Sequence, residues 1–391
     1  MNSDFSECKA FLSSLSASLI KGCRVKADDG TVLFTPDGIS SYNALWLRDF
    51  SYMVEYAGSN LSNTEIINCI RYAISHRRED GWFPDRIYAD GTAVYAAGAT
   101  NEPVGEANLD NTPFLIFIVH SLMLRMDHAE FHTLFAKWEP ALCQGLAVIP
   151  RSASGLVYND PQRPHSPYGF TDTVCKTGDL YMESLLYWRA CLFLSQMTAD
   201  TATKEKYTAQ CAVIQSAIYS LYHAEEHYFV AALGACSQID IWGMAYMIYI
   251  DFPLHAGVEQ EILHFLEDHY SEYTFQGQIR HLPKGQYWER LLIPVAHEEY
   301  QNGAYWATAS GWIIWCLFKV NPSLAAETLY DAVQYLKEKG SFECVNTDYQ
   351  KLPSFVVSAA NIYGCIQRIS NHTTFIDSYN MITGERKEEK I

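Results

Sequence analysis

Twelve apolar-periodic segments with helical spacing run through this 391-residue chain, and the joints between them alternate strictly between short and long. The segments predicted as helices are 2–21, 43–57, 63–77, 109–125, 127–146, 178–197, 200–223, 238–250, 257–270, 303–319, 321–338 and 354–369. Ser62, Asp200 and the Asn321-Pro322 pair stand where N-caps and a first-turn proline belong. The long joints are 22–42, 78–108, 147–177, 224–237, 271–302 and 339–353. Several far exceed the usual connection of about four to six residues, and loops of that length carry function. If consecutive helices are antiparallel, strict alternation puts every long loop on one face.

The even-numbered helices begin near residues 43, 109, 178, 238, 303 and 354, a repeat of roughly 50–70 residues. Six helical hairpins closed into a ring make an all-α (α/α)6 barrel, with the even helices inside and their N-termini under the long loops. A superhelical stack of hairpins is the competing arrangement. No Pro/Gly/Ser linker interrupts the chain, so residues 1–391 read as one domain, with 371–391, ending "TGERKEEKI", expected to be a loosely ordered tail.

A net charge of −17 disfavours nucleic acid and anionic membranes as partners, since both would be repelled. The N-terminus carries no basic-then-apolar leader, and no stretch approaches a transmembrane span. The 11 cysteines are scattered and never spaced CxxC, which fits free thiols in a reducing cytoplasm. The histidines form no HExxH set, no GxSxG elbow occurs, and no GxGxxG follows a strand. The reading therefore assigns no metal, no cofactor and no serine nucleophile.

Unusual polar residues cluster where the inner helices begin. Trp46, Arg48 and Asp49 lie in "YNALWLRDFSYMVEY", Asp110 and Asn111 in "NEPVGEANLDNTPF", and Asp179, Tyr181 and Glu183 in "TGDLYMESLLYW". Asp240 and Trp242 lie in "SQIDIWGM", Asn302, Tyr305 and Trp306 in "YQNGAYW", and Glu343 in "FECVNTDY". Singly, each acid is explained as a helix cap. Six such clusters converging on one hollow, lined by carboxylates, amides and indoles, suit a carbohydrate. Aromatics make up 14% of the chain, compatible with sugar-face stacking, though taken alone that content favours a well-packed Tyr-rich core.

These motifs resemble the six-hairpin glycosidase clan of glucoamylases, trehalases and the α-glucosidase and α-mannosidase-like families. "WLRDFSYMVE" looks like the W-x-RD opening whose Arg and Asp grip sugar hydroxyls; "GDLYMES" is similar to the segment supplying the general acid. "YQNGAYW" resembles the trehalase Q-W-D-x-P-N-G-W signature, and "FECVNTDY" the late segment carrying the general base. The chain departs from the glucoamylase pattern at Met182, which stands where that family keeps its acid.

The resemblance implies an inverting glycosidase acting on a small α-linked glucoside or mannoside, a disaccharide or glycosyl-glycerate. Asp179 is the expected general acid, with Glu183 as second candidate, and Glu343 the expected base. Arg48, Asp49, Asp110, Asn111, Asp240 and Asn302 would hold hydroxyls, and Trp46, Tyr181, Trp242, Tyr305 and Trp306 would form apolar walls or stacking faces. Trp82 and Arg86, in "GWFPDRIYADGT", would close over the leaving group. A barrel that binds carbohydrate without cleaving it is the rival reading, supported by Met182.

Overall fold

The computed structural model describes residues 3–388. Its helices are α1 (Ser3–Gly22), α2 (Leu47–Ala57), α3 (Asn63–Ser75), α4 (Asn111–Met123), α5 (His128–Ala147), α6 (Tyr181–Met197), α7 (Thr201–Ala217), α8 (Ile241–Tyr249), α9 (Val258–Asp268), the single turn α10 (Tyr270–Tyr273), α11 (Ser310–Val320), α12 (Pro322–Glu338), α13 (Val356–Ile369) and α14 (Thr373–Glu388).

Six of these are almost wholly buried, α2, α4, α6, α8, α11 and α13, and of them α4, α8 and α11 are apolar on nearly every face. A helix with no polar stripe must be enclosed on all sides. Each packs on the next and α13 returns to α2, so the ring closes. The outer helices cover it, α1 against α13, α5 against α4 and α6, α7 against α6, α9 against α8 and α11, and α12 against α11. This is the (α/α)6 barrel, and its closure excludes the superhelical stack. The ring interior is filled by large side chains. Trp242, Trp306 and Trp312 are fully buried, and the Trp312 indole donates to the Tyr56 hydroxyl at 2.9 Å.

The expected caps are present. Ser62 and Glu65 form a reciprocal capping box, Asp200 accepts from Thr203 N, and Asn321 accepts from Leu324 N ahead of Pro322. Inner helices begin two to seven residues later than the periodicity implies, because extended backbone precedes them. Ala44–Trp46 is a strand paired with Arg86–Tyr88, and Tyr305 and Trp306 bridge to Val345 and Ile279 before α11 starts. The fold is all-α in its core, with short antiparallel ribbons confined to the loops.

The expectation of a loose tail is not met. Most of the 371–391 segment is α14, which packs on α12 and α1; Phe375 and Tyr379 are buried against Phe5. The sequence reading weighed the charged end "ERKEEK" above the apolar residues at 375, 376, 379 and 382, whose helical spacing makes a buried stripe. Residues 389–391 lie outside the described part of the chain.

Candidate active site

Above the N-termini of the inner helices, the long loops enclose a cavity of about 280 Å³ lined by Tyr42, Trp46, Arg48, Asp49, Phe170, Asp172, Thr173, Ile293, Val295, Tyr300, Glu343 and Phe355, among others. Larger recesses include one of about 480 Å³ beside Glu55 and Arg189 and one of about 810 Å³ beside Glu106, Asp160 and Arg163. In the first, Glu55 is already paired with Arg189 at 2.6 Å; in the second, both acids are exposed. Of these three, only the smallest gathers buried carboxylates, those of Asp49, Asp172 and Glu343.

Its floor is an electrostatic lattice around Arg48, which is 5% exposed. The guanidinium lies 3.1 Å from Asp85, 3.6 Å from Asp110 and 3.9 Å from Asp49. Those carboxylates hold Arg48 charged against the cost of burial. Asp85 also pairs with Arg86 and accepts from Asn108 at 2.9 Å. Arg86 lies 4.8 Å over the Trp46 ring and donates to Gly98 O. Residue 169 must be glycine here, since a Cβ would sit 1.8 Å from the Arg48 guanidinium carbon. The Arg48–Asp49 pair in the first turn of α2 is therefore the anchor of the site as well as its own partner.

Burial pushes the acids up. Asp49 and Asp110 rise to about 7, chiefly by desolvation and partly offset by Arg48. Asp172 rises to about 6, again by desolvation, with Arg48 and a 2.8 Å hydrogen bond from Gln301 pulling it back. Glu343 is also raised by desolvation, against the opposing pull of Lys351, whose Nζ is 3.1 Å away, and of Tyr42, whose hydroxyl donates at 2.9 Å. Lys351 Nζ also sits 3.1 Å from the Tyr300 ring centre. Tyr300 is held at φ +42°, a left-handed conformation costly for a side chain of this size.

Four expected site residues line the cavity: Trp46, Arg48, Asp49 and Glu343. Asp179 does not. It belongs to a two-residue strand pairing Tyr158–Asn159, and its carboxylate accepts from Ser154 at 2.9 Å, in an exposed turn. Glu183 is buried in an ion pair with Lys176 at 2.6 Å and accepts from Tyr168 N. Tyr181 stacks on Phe229 and donates to Met247 Sδ, and it does not line the cavity.

The other expected ligands of sugar are framework. Asp110 accepts from Gly169 N, Asn111 donates to Phe83 O and Tyr95 O, and Asp240 caps α8 through Gly243 N. Asn302 bonds Trp288 N and Val295 O, so it shapes the wall containing Ile293 and Val295. Trp242 stacks on His281, Trp306 donates to Tyr300 O, and Tyr305 packs on Phe275. Trp82 lies against His165, and Arg86 supports the cavity from behind, lying over Trp46, pairing with Asp85 and donating to Gly98 O. The indoles are barrel filling because a closed ring of helices leaves an axial void that only large side chains fill.

Sequence reasoning missed Tyr42, Phe170, Asp172, Thr173 and Tyr300. Tyr42 heads the same stretch as Arg48, and Asp172 stands in "YGFTDTVCKTGDL", seven residues before Asp179. A search restricted to helix starts passes over an acid carried in mid-loop. Among the described residues, no group of three or more His, Cys, Asp or Glu is arranged to hold a metal ion, and no helix is long and apolar enough to cross a membrane.

No protein-family model matches the sequence, and no curated protein matches it significantly. Solved structures do match. A GH63 mannosylglycerate hydrolase from Thermus thermophilus superposes with a TM-score of 0.64 at 12% identity, over 90% of this chain and 99% of that one. A glycosidase superposes at 0.65 with 14% identity, over 95% and 99%. A rhamnosidase from Klebsiella oxytoca superposes at 0.65 with 12% identity over 93% of this chain, which spans 64% of the rhamnosidase. With the ring closed and the loops gathered at one end, the chain has the (α/α)6-barrel fold of the six-hairpin glycosidases.

Proposed function

We propose that the protein is a glycoside hydrolase acting on a small glycoside, with Asp172 as general acid and Glu343 as general base. The observation that carries this reading is that these two buried carboxylates line one cavity together with the Arg48–Asp49 pair, the aromatic rings of Tyr42, Trp46, Phe170, Tyr300 and Phe355, and the aliphatic Ile293 and Val295. Two carboxyl groups flanking a glycosidic bond suffice for hydrolysis through an oxocarbenium-like transition state.

Asp172, pushed up to about 6, holds a proton in weakly acidic solution and delivers it to the glycosidic oxygen. Glu343, beside the Lys351 ammonium and the Tyr42 hydroxyl, is favoured as the ionised partner and takes a proton from the attacking water. Arg48 and Asp49 grip ring hydroxyls, and Trp46 and Phe170 offer apolar faces. A cavity of about 280 Å³ suits one sugar with a small leaving group rather than a polymer threaded through. In this reading the hydrolysis inverts, with Glu343 activating a water on the far face of the sugar rather than attacking the sugar itself.

The test is direct. The protein is incubated with α-linked gluco-, manno- and rhamnosides, including disaccharides and glycosyl-glycerates, while the anomeric protons are followed by NMR. Release of a reducing sugar whose first-formed anomer is β is the expected result. A first-formed α anomer overturns inversion, and binding without cleavage across the panel overturns the hydrolase reading.

A further inference from the structure

Gln301 is 1% exposed and commits its whole hydrogen-bonding capacity to one short stretch of the facing loop. Its Oε1 accepts from Thr173 N at 2.8 Å and Thr173 Oγ1 at 2.7 Å; its Nε2 donates to Asp172 Oδ1 at 2.8 Å and Gly169 O at 3.1 Å. Two donors and two acceptor positions are all that a carboxamide has. The orientation of the amide is thereby determined, since turning it over would set its NH2 against the Thr173 N–H and its oxygen against a carboxylate.

Gln301 is itself firmly held. Trp288 Nε1 donates to its carbonyl at 2.9 Å, and Trp306 Nε1 donates to the carbonyl of Tyr300. The turn that presents it places both Glu298 and Tyr300 at positive φ, +66° and +42°. Non-glycine residues persist there only where the surroundings over-determine them, and such strain gathers at functional sites. Glu298 is retained by Arg280 at 3.2 Å and by Asn346 at 2.8 Å. A strained turn thus delivers one amide to one carboxyl.

The geometry points to Gln301 as the positioning residue of Asp172: a single buried amide aims the carboxyl and pins the backbone on both sides of it. The inference rests on the reading of Asp172 as general acid for its catalytic consequence, though not for its structural one. Hydrogen bonds donated to a carboxylate favour the ionised form, so Gln301 keeps the Asp172 proton transferable in a site where burial would otherwise retain it. The other charged groups facing Asp172 are Arg48 from α2, Asp85 and Asp110 from the loops before Arg86–Tyr88 and α4, Glu343, and Lys351 from the Tyr349–Pro353 strand. None of these groups hydrogen-bonds Asp172 Oδ1 among the contacts described, whereas Gln301 does.

The experiment follows the Asp172 carboxyl by carbon-13 NMR in aspartate-labelled protein, assigned with Asp172→Asn, beside the pH dependence of kcat/KM. Gln301→Glu keeps acceptors for Thr173 and replaces the donor by a negative charge. Its Asp172 titration is expected to move upward by about one unit or more, and the alkaline limb of the rate profile with it. Gln301→Met removes the donor without adding charge, and it should give a smaller shift of the same sign together with a lower kcat at little-changed KM. It also serves if the glutamate variant does not fold. An Asp172 titration unmoved in these variants overturns the proposal. A shifted titration in a protein that hydrolyses nothing leaves the positioning role standing and removes the glycosidase reading instead.

Discussion

Asp172→Asn is expected to lower kcat by about 10²–10⁴-fold with the fold intact, and Glu343→Gln to do the same, because each removes a proton-transfer group from the transition state. Asp179→Asn is the informative control. Its carboxylate is engaged with Ser154 and lies outside the cavity, so turnover should stay close to that of the unmodified protein. Wild-type turnover in the Asp172 variant, or a comparable loss in the Asp179 variant, would return the acid to the "GDLYMES" segment.

The same variant carries a stability signature with a definite sign. The folded protein holds Asp172 at about 6, above the ordinary aspartate value of 3.8. The stability this group contributes is fully present below its unfolded value and is lost as pH rises through about 6. Asparagine is neutral throughout, and Gln301 Nε2 can still donate to its side-chain oxygen. Asp172→Asn should therefore match the parent near pH 4 and exceed it near pH 8, by about 3 kcal/mol at most. Chemical denaturation at the two pH values reads the difference. A gain in stability that accompanies loss of catalysis is the usual mark of an acid kept in place for its chemistry.

Arg48→Met is expected to destabilise the protein by about 3–5 kcal/mol at neutral pH, the cost of leaving buried carboxylates without their cation. Asp85, Asp110 and Asp49 all lose their shared partner, and Phe170 loses the guanidinium 5.6 Å above its ring. The loss should be smaller near pH 5. Asp49 and Asp110, already held at about 7, are protonated there, so less charge is abandoned. Equal destabilisation at both pH values would mean that Arg48 acts by filling space rather than by balancing charge. Sugar binding should fail in whatever protein remains folded.

The barrel was legible in the chain because its signals are local. Apolar side chains that recur on every face of 241–249 or 310–320 demand enclosure wherever the helix goes. Ser62, Asp200 and Asn321 satisfy backbone N–H groups within three residues, so caps are written where they act. The Trp46–Arg48–Asp49 group was legible for the same reason: charges inside an apolar run need partners, and they stand where an inner helix begins.

Which of the two acids faces the cavity was not legible, since it depends on the path of the loop that runs from 148 to 180. Asp179 and Asp172 are seven residues apart in the same connection, and nothing in their flanks says which one turns inward. The short ladder between Tyr158–Asn159 and Gly178–Asp179 directs one outward to Ser154. Contacts from Gln301, 129 residues away, bring the other into the cavity. The large indoles escaped for a related reason, because Trp242 and Trp306 are equally suited to face a sugar or to fill a barrel. Periodicity and capping chemistry settled which segments are helices and in what order they pair, because those energies act within a few residues. The meeting of Asp172 with Glu343 was decided only in three dimensions, where long-range hydrogen bonds and the balance around Arg48 choose among loop paths that the local sequence leaves equivalent.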